Sequence, residues 1–473
     1  ERWPDLPWDL PRAGRSPEAT QFGYAGWVAR LSSGQAALEQ SSLKSFRDRG
    51  VARSQSIIAT LDRLDASTIA AHLSTSSLLF YSEAALAEVS EHYAQQGGSL
   101  LGVARLAVSK AEAALSRPPS PVTHKTTLPP SGDPHDYWHP APYWWPDPSA
   151  PDGLPYIWKD GQRVPGTRLH EPGSERYDRS RLQDLFDDSI SLAIAWQITG
   201  REELALHAVS LLHSWFVSPA TRMNPHLRFA QVRRGHNNDE GSNSGIIESK
   251  DFYFFLDALR LLRDGGFIGD PDMAAIDGWL RSFLHWLLDS AQGSMEVTKP
   301  NNHGIVYDLQ VGAIAAYLGD CPLLAEVVRR AQGRILHHFD PDGAQPHELA
   351  RTESAHYCTF NLQSWLNLAD LLAHCGKNLW GFEGRDGRSL ARAADWLLGH
   401  FPDRQWHHQQ LTPFNWARML PIAASLPLDH AGTHQEALTN NPEPPACFHP
   451  HDGIRPYWVL GLDQTRSTRF SPR

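Results

Sequence analysis

Two short segments carry side chains suited to moving protons. The first is Thr298-Lys299-Pro300-Asn301-Asn302-His303-Gly304, set just before an apolar helical run. An Asn amide can donate to a substrate carboxylate, and the adjacent His can act as base or as a second neutralising group. Lys299 adds a local positive charge. Asn at a helix start also caps well, so plain capping competes with chemistry here. The second segment runs from Gln345 through His347, Glu348, Arg351 and His356 to Tyr357. Arg351 and Tyr357 are six positions apart, too far for neighbours on one helix face. One loop can aim both into a cleft; the alternative is a surface Arg and a packed Tyr. A free Tyr titrates near ~10, so a Tyr base near neutrality needs about 3 units, roughly 4 kcal/mol, of cationic and hydrogen-bond support. Arg351 and a His are the groups that could supply it.

Two further segments read as cleft walls. Tyr143, Trp144 and Trp145 lie in a stretch crowded with proline and aromatic residues, and Arg233 and Arg234 sit in a polar stretch ending at Glu240. The arginines suit a polyanion, though a solvated loop has the same composition. With Lys299 and His356 these five form the expected substrate-binding set. No metal is expected. His337-His338 and His407-His408 are adjacent pairs, which point about 100° apart on a helix. Neither matches HExxH, and Asp239-Glu240 lacks calcium-loop spacing. No cofactor is called for.

Something must hold these residues in place, and the surrounding text is helical. The helical period appears near Val51 and rarely stops. Residues 118–180 interrupt it with a density of prolines that forbids regular helix. A loop so long and so aromatic is expected to be ordered and functional. Beyond it, helices come in pairs joined by Gly, Asp or Pro: Leu182–Thr199 with Glu202–Phe216, Ile247–Leu262 with Met273–Leu288, Gly304–Leu318 with Leu323–His338, and Phe360–His374 with Leu390–Leu398. The expected fold is all-α, an α/α toroid of about six to seven hairpins at roughly 50 residues each. The expected division is an irregular N-terminal extension over 1–75, a toroid over 76–426 and a C-terminal tail over 427–473.

Composition narrows the partners. The chain has 473 residues and a formal net charge of −10, which disfavours nucleic acid. No apolar run approaches the roughly 18 residues of a membrane span. Cys321, Cys358, Cys375 and Cys447 are too scattered for a disulfide framework or a CxxC zinc site. Trp, at 17, nearly equals Phe, at 18; such an excess suits flat surfaces on which sugar rings stack. The chain opens on ERWPDLPWDL without a charged-then-apolar leader. A secreted or periplasmic monomer, its leader removed, is the expectation.

Several segments together resemble the alginate lyase domain family. They are Pro129–Asp133, His135-Asp136-Tyr137, Pro142–Pro148, Asp152–Tyr156, Pro219–Pro225, Gly245–Glu248, Asn301–Gly304 and Glu348–Thr352. The likeness spans roughly Ser76 to His400. The spacing is more similar to polysaccharide lyase family thirty-eight than to the bacterial alginate lyases of family five. The resemblance implies an α/α toroid and cleavage of 1,4-linked polyuronates by β-elimination, without a metal. By motif it places the catalytic Asn, His, Arg and Tyr on Asn302, His303, Arg351 and Tyr357.

In that chemistry Asn302, helped by His303 and Arg351, stabilises the enolate-like charge, while a base takes the C5 proton and an acid protonates O4. For β-D-mannuronate or β-D-glucuronate both atoms lie on one side, and Tyr357 serves both roles. For α-L-guluronate they lie on opposite faces, with His303 as base and Tyr357 as acid. The rivals are a glycoside hydrolase on the same toroid, a non-catalytic polyuronate-binding protein and a structural helical repeat. The hydrolase needs two carboxylates across the cleft, and the repeat needs self-similar units that this chain lacks.

Overall fold

The computed structural model describes residues 65–73, 78–400, 405–425 and 453–462. The chain separates into two compact units, residues 1–67 and 68–473, and the fold below is that of the second. Most of the expected N-terminal extension, and residues 427–452 and 463–473 of the expected tail, lie outside the described residues.

Ten helices among the described residues pair into five hairpins. They are α1 (Glu83–Gln95) with α2 (Leu101–Leu115), α3 (Arg179–Thr199) with α4 (Glu202–Leu212), α5 (Phe252–Asp264) with α6 (Asp270–Asp289), α7 (Asn302–Leu318) with α8 (Cys321–His338), and α9 (Ser354–His374) with α10 (Leu390–Leu398). Burial sorts them into two rings. In α5 every residue from Phe252 to Leu262 is buried, and α7 and α9 are buried almost throughout. A helix apolar all round has neighbours on every side. By contrast α6 buries only Ile276, Trp279, Leu280, Phe283, Leu284 and Leu287, a single stripe at helical spacing. The inner helices pack in sequence, α3 on α5, α5 on α7 and α7 on α9. This is the α/α toroid.

The turns between partners are short. Gly200 and Gly319 end α3 and α7 in the left-handed region, as helix C-termini commonly do. After Gly319 the chain reverses within two residues, and the Asp320 side chain caps α8. Because α8 runs back, α7 and α9 start at the same end of the toroid.

The loops at that end hold four short strands, which the sparse alternation in the sequence did not announce. β1 (Trp138–Pro140) pairs in parallel with β4 (Phe229–Val232), and β2 (Trp144–Trp145) pairs antiparallel with β3 (Ile157–Trp158). The first pairing ties the aromatic loop to the arginine segment. Buried Glu248 reinforces the tie, taking bonds from His139 Nδ1 at 2.6 Å and the Tyr137 hydroxyl at 2.7 Å. Burial pushes the Glu248 carboxyl upward, but His139 and the Tyr137 bond outweigh it and leave it below the usual range.

Part of the expected tail belongs to the body. Tyr457 is buried and its hydroxyl donates to Ser191 on α3 at 2.9 Å. The Gly453 carbonyl accepts from Asn367 on α9 at 2.8 Å and from Tyr253 on α5 at 3.2 Å. Residues 453–462 thus bond to three inner helices. No described helix is long and apolar enough to cross a membrane.

Candidate active site

The two motifs singled out by their chemistry meet at the starts of α7 and α9. Asn301 is the residue before α7 but makes no side-chain cap. The capping is done from elsewhere. Glu348 accepts from the Asn302 backbone N–H at 2.5 Å through Oε1 and from Asn302 Nδ2 at 2.7 Å through Oε2. Asn302 is therefore not a helix cap. It is fully buried with its amide directed at Glu348. Burial pushes the Glu348 carboxyl up to about 7, against the pull of the two Asn302 bonds.

Of the adjacent Asn302 and His303, only His303 reaches solvent, its side chain 19% exposed. Its Nδ1 lies 2.6 Å from Glu296 Oε1, while Asn243 Nδ2 donates to Glu296 Oε2 at 2.7 Å. Nδ1–H donation to that carboxylate fixes the ring and leaves Nε2 as the free, basic nitrogen. Gly304 allows the close packing behind it. A Cβ there would sit 2.1 Å from the Lys299 carbonyl oxygen and 2.4 Å from Arg334 Nη1. Arg334 itself donates to the Lys299 carbonyl at 2.9 Å and is anchored on buried Asp308 at 2.5 Å. The Lys299 backbone is thus held in place while its side chain stays half-buried.

Arg351 and Tyr357 do meet. Arg351 Nη2 donates to the Tyr357 hydroxyl at 2.8 Å, and its guanidinium carbon lies 3.8 Å from the ring centroid. Tyr143 from the aromatic loop reaches the same hydroxyl at 3.2 Å. The other side of Arg351 is held by Asp160, with Nη2–Oδ1 at 2.6 Å and Nε–Oδ2 at 3.2 Å. The expectation that Arg351 brings Tyr357 toward neutrality is not met. Burial pushes the Tyr357 hydroxyl well above its ordinary value, Tyr143 adds to the push, and the opposing pull of Arg351 is smaller. Tyr357 is a neutral phenol at rest.

His356, next to it, is also neutral. Burial and the neighbouring Arg418 lower its pKa to about 3, and Arg418 Nη1 donates to its Nδ1 at 2.6 Å. It offers a polar ring edge, not a cation. On the loop, cations lie over the aromatic rings. Arg233 lies 4.8 Å from the Trp144 centroid, Lys159 lies 5.3 Å from Trp145, and Arg163 lies 5.3 Å from Tyr143. Trp144 and Trp145 are half-buried. Arg234 turns outward, half exposed and 3.3 Å from Asp239.

Asn302, His303, Arg351 and Tyr357 thus sit on neighbouring inner helices or on the turn that leads into α9. Tyr143 joins them directly, and Trp144, Trp145 and Arg233 form the adjoining wall. No group of three or more metal-ligating side chains occurs among the described residues.

The alginate lyase family model matches residues 121–407, which contain every one of these side chains. The chain belongs to the alginate lyase family. Its fold agrees with that of an alginate lyase from Bacteroides ovatus, at 30% identity and a TM-score of 0.69, over 83% of this chain and 97% of that one. Alginate lyase A1-III from a Sphingomonas species is 15% identical with a TM-score of 0.41, over 66% of this chain and 76% of that one. A comparison with curated proteins gave no match.

Sequence reasoning missed three residues of this family member's site. Glu348 lay inside a quoted motif but was given no role. Glu296 precedes Asn302 by six positions and looks like any surface acid. Asp160 is 191 positions from Arg351, and only the folded loop brings it there. Each is one carboxylate among 53 acidic residues, with nothing local to mark it.

Proposed function

We propose that this protein is a polysaccharide lyase that cleaves 1,4-linked polyuronates of the alginate or glucuronan class by β-elimination. The observation that carries the reading is the Arg351–Tyr357 bond at 2.8 Å, beside the His303–Glu296 pair at 2.6 Å. Together they supply an oriented hydroxyl acid and an oriented imidazole, the parts an elimination needs.

In the reaction the C5–H bond breaks and its electron pair moves to form the C4–C5 double bond. The C4–O4 bond breaks and O4 leaves with a proton. Tyr357 is the proton donor to O4, which its neutral state favours. His303, partly open to solvent, faces the carboxylate that carries the developing charge. Asn302 supports it from the buried side. For mannuronate or glucuronate, Tyr357 must first lose its proton to take the one on C5, so activity rises into the alkaline range. A second reading is favoured by the raised Tyr357 pKa and by the orientation of the His303 ring on Glu296. With Tyr357 neutral and His303 Nε2 free, the pair is set for guluronate, His303 as base and Tyr357 as acid. A secreted or periplasmic site of action suits a polymeric substrate.

Ultraviolet absorbance of the unsaturated uronate product, on poly-mannuronate, poly-guluronate and glucuronan side by side, tests the reading. A rise on one polymer establishes the lyase and selects the base. Silence on all three from neutral to alkaline pH overturns it.

A further inference from the structure

Asp160 has no part in the elimination itself, yet the fold delivers it into the site with care. We propose that Asp160 is a positioning residue for Tyr357, holding the Arg351 guanidinium in the one orientation that donates to the phenol oxygen; this rests on the lyase reading above.

Arg351 meets Asp160 through two nearly parallel bonds, 2.6 Å from Nη2 and 3.2 Å from Nε. A forked pair of this kind fixes the plane of the guanidinium as well as its place. Nη2, one of the two held atoms, also donates to Tyr357. Asp160 is held in turn: Thr352 donates to its Oδ2 from the backbone N–H at 3.2 Å and from the hydroxyl at 3.1 Å. Both members of the pair are mostly buried, Arg351 at 18% and Asp160 at 11% exposure.

The loop also comes very close to Thr352. Gly161 has a φ of +73°, and a Cβ there would lie 2.6 Å from Thr352 Oγ1. The backbone next to Asp160 passes so close to Thr352 that only glycine fits. Such an approach lets Thr352 hold the Asp160 carboxylate directly.

The pairing also alters the charge that Arg351 presents. With its Nε and Nη2 edge filled by a carboxylate, Arg351 has little net charge left to offer a substrate carboxylate on that side. Its function is redirected from neutralising the sugar to directing one N–H. Against the upward push of burial, Arg351 and Thr352 hold the Asp160 carboxyl below its usual range. The pair is therefore ionic throughout the working range, and Tyr357 feels a donor without a full uncompensated cation.

The experiment uses the full chain with Asp160→Asn and Asp160→Ala. Steady-state rates, pH profiles and melting temperatures are read for both, on whichever of the three polyuronates the unaltered protein cleaves. We expect kcat to fall on the order of 10²-fold, the usual result of misplacing a reacting group, with KM changed by less than about threefold, since ground-state binding is untouched. In Asp160→Asn, loss of the negative charge strengthens the pull of Arg351 on Tyr357, so the tyrosine limb of the pH profile moves to lower pH. A role confined to docking the loop would lower the melting temperature and leave that limb in place, which overturns the proposal. A fall in KM with kcat retained overturns it too, since the carboxylate would then be competing with substrate for Arg351. If the Ala variant does not fold, the Asn variant decides alone. Silence of the unaltered protein on every polymer is a different failure: it removes the lyase reading, and this inference with it.

Discussion

Glu348 grips Asn302 by both its backbone N–H, at 2.5 Å, and its side-chain amide, at 2.7 Å. One carboxylate thus welds the start of α7 to the turn that leads, three residues later, to Arg351. The two motifs form a single unit, and a disturbance of either is felt by both.

Tyr357→Phe removes the proton donor and keeps the ring that packs under Arg351. Turnover should drop to background while oligouronate binding stays within about threefold of normal, as befits a group used in the transition state. Product absorbance and calorimetry on one preparation check this. Near-normal turnover would transfer the acid role elsewhere.

Asn302→Ala leaves Glu348 buried with one of its two Asn302 donors gone. Stability should fall by about 1–3 kcal/mol, the cost of a buried polar group deprived of its partner. kcat should fall as well, because His303 is the next residue on the displaced turn. Chemical denaturation and product absorbance measure the two effects separately, and an unchanged kcat would confine Asn302 to scaffolding.

The pH dependence of stability should carry the mark of Glu348. Its carboxyl titrates at about 7 in the folded protein against 4.5 for an ordinary Glu, because burial disfavours the charge. Between those values the folded chain holds a proton that the unfolded chain has released. This contribution to stability is fully present below about 4.5 and is lost as pH rises through about 7. Glu348→Gln should flatten that part of the curve, and Asn302 can turn its amide oxygen to meet the new N–H. Melting temperatures from pH 4 to 8 provide the comparison; parallel curves would contradict the assignment.

Polyuronate binding should weaken steadily with salt, since exposed charges are screened over about 10 Å at 0.1 M. Arg233→Ala should weaken binding and reduce the salt slope, and should also free the face of Trp144 that it covers. Arg234→Ala should do less, because Arg234 is half exposed and already paired with Asp239. Equal effects of the two would refute this division.

The fold was readable because helical period and hairpin spacing are local signals. Leu182–Thr199 and Gly304–Leu318 lie within three residues of the observed helix ends. The Asn-His and Arg–Tyr segments were readable as candidates by residue type, and the structure brings Arg351 to Tyr357 and joins the two segments through Glu348. What escaped was long-range. Nothing near Trp138 says that it pairs with Phe229, and nothing near Arg351 says that an aspartate 191 positions away will take its fork. The Tyr357 pKa was misjudged for a related reason. Its cationic neighbour is visible in the sequence, whereas burial is a property of the whole fold and here outweighs it.

On the function proposed above, a protein with a net charge of −10 must receive a polyanion, and the common starting end of α7 and α9 bears on this. The aligned peptide dipoles of a helix place about half a positive charge at its N-terminus. His303 and Tyr357 both lie in first turns, of α7 and α9 respectively. The two helix starts therefore add positive potential at the candidate centre, offsetting part of the negative charge of Glu296, Glu348 and Asp160 beside it. That potential is not encoded by any lysine or arginine, so it survives every surface substitution. It lets the outer surface stay acidic while the centre remains hospitable to negative charge.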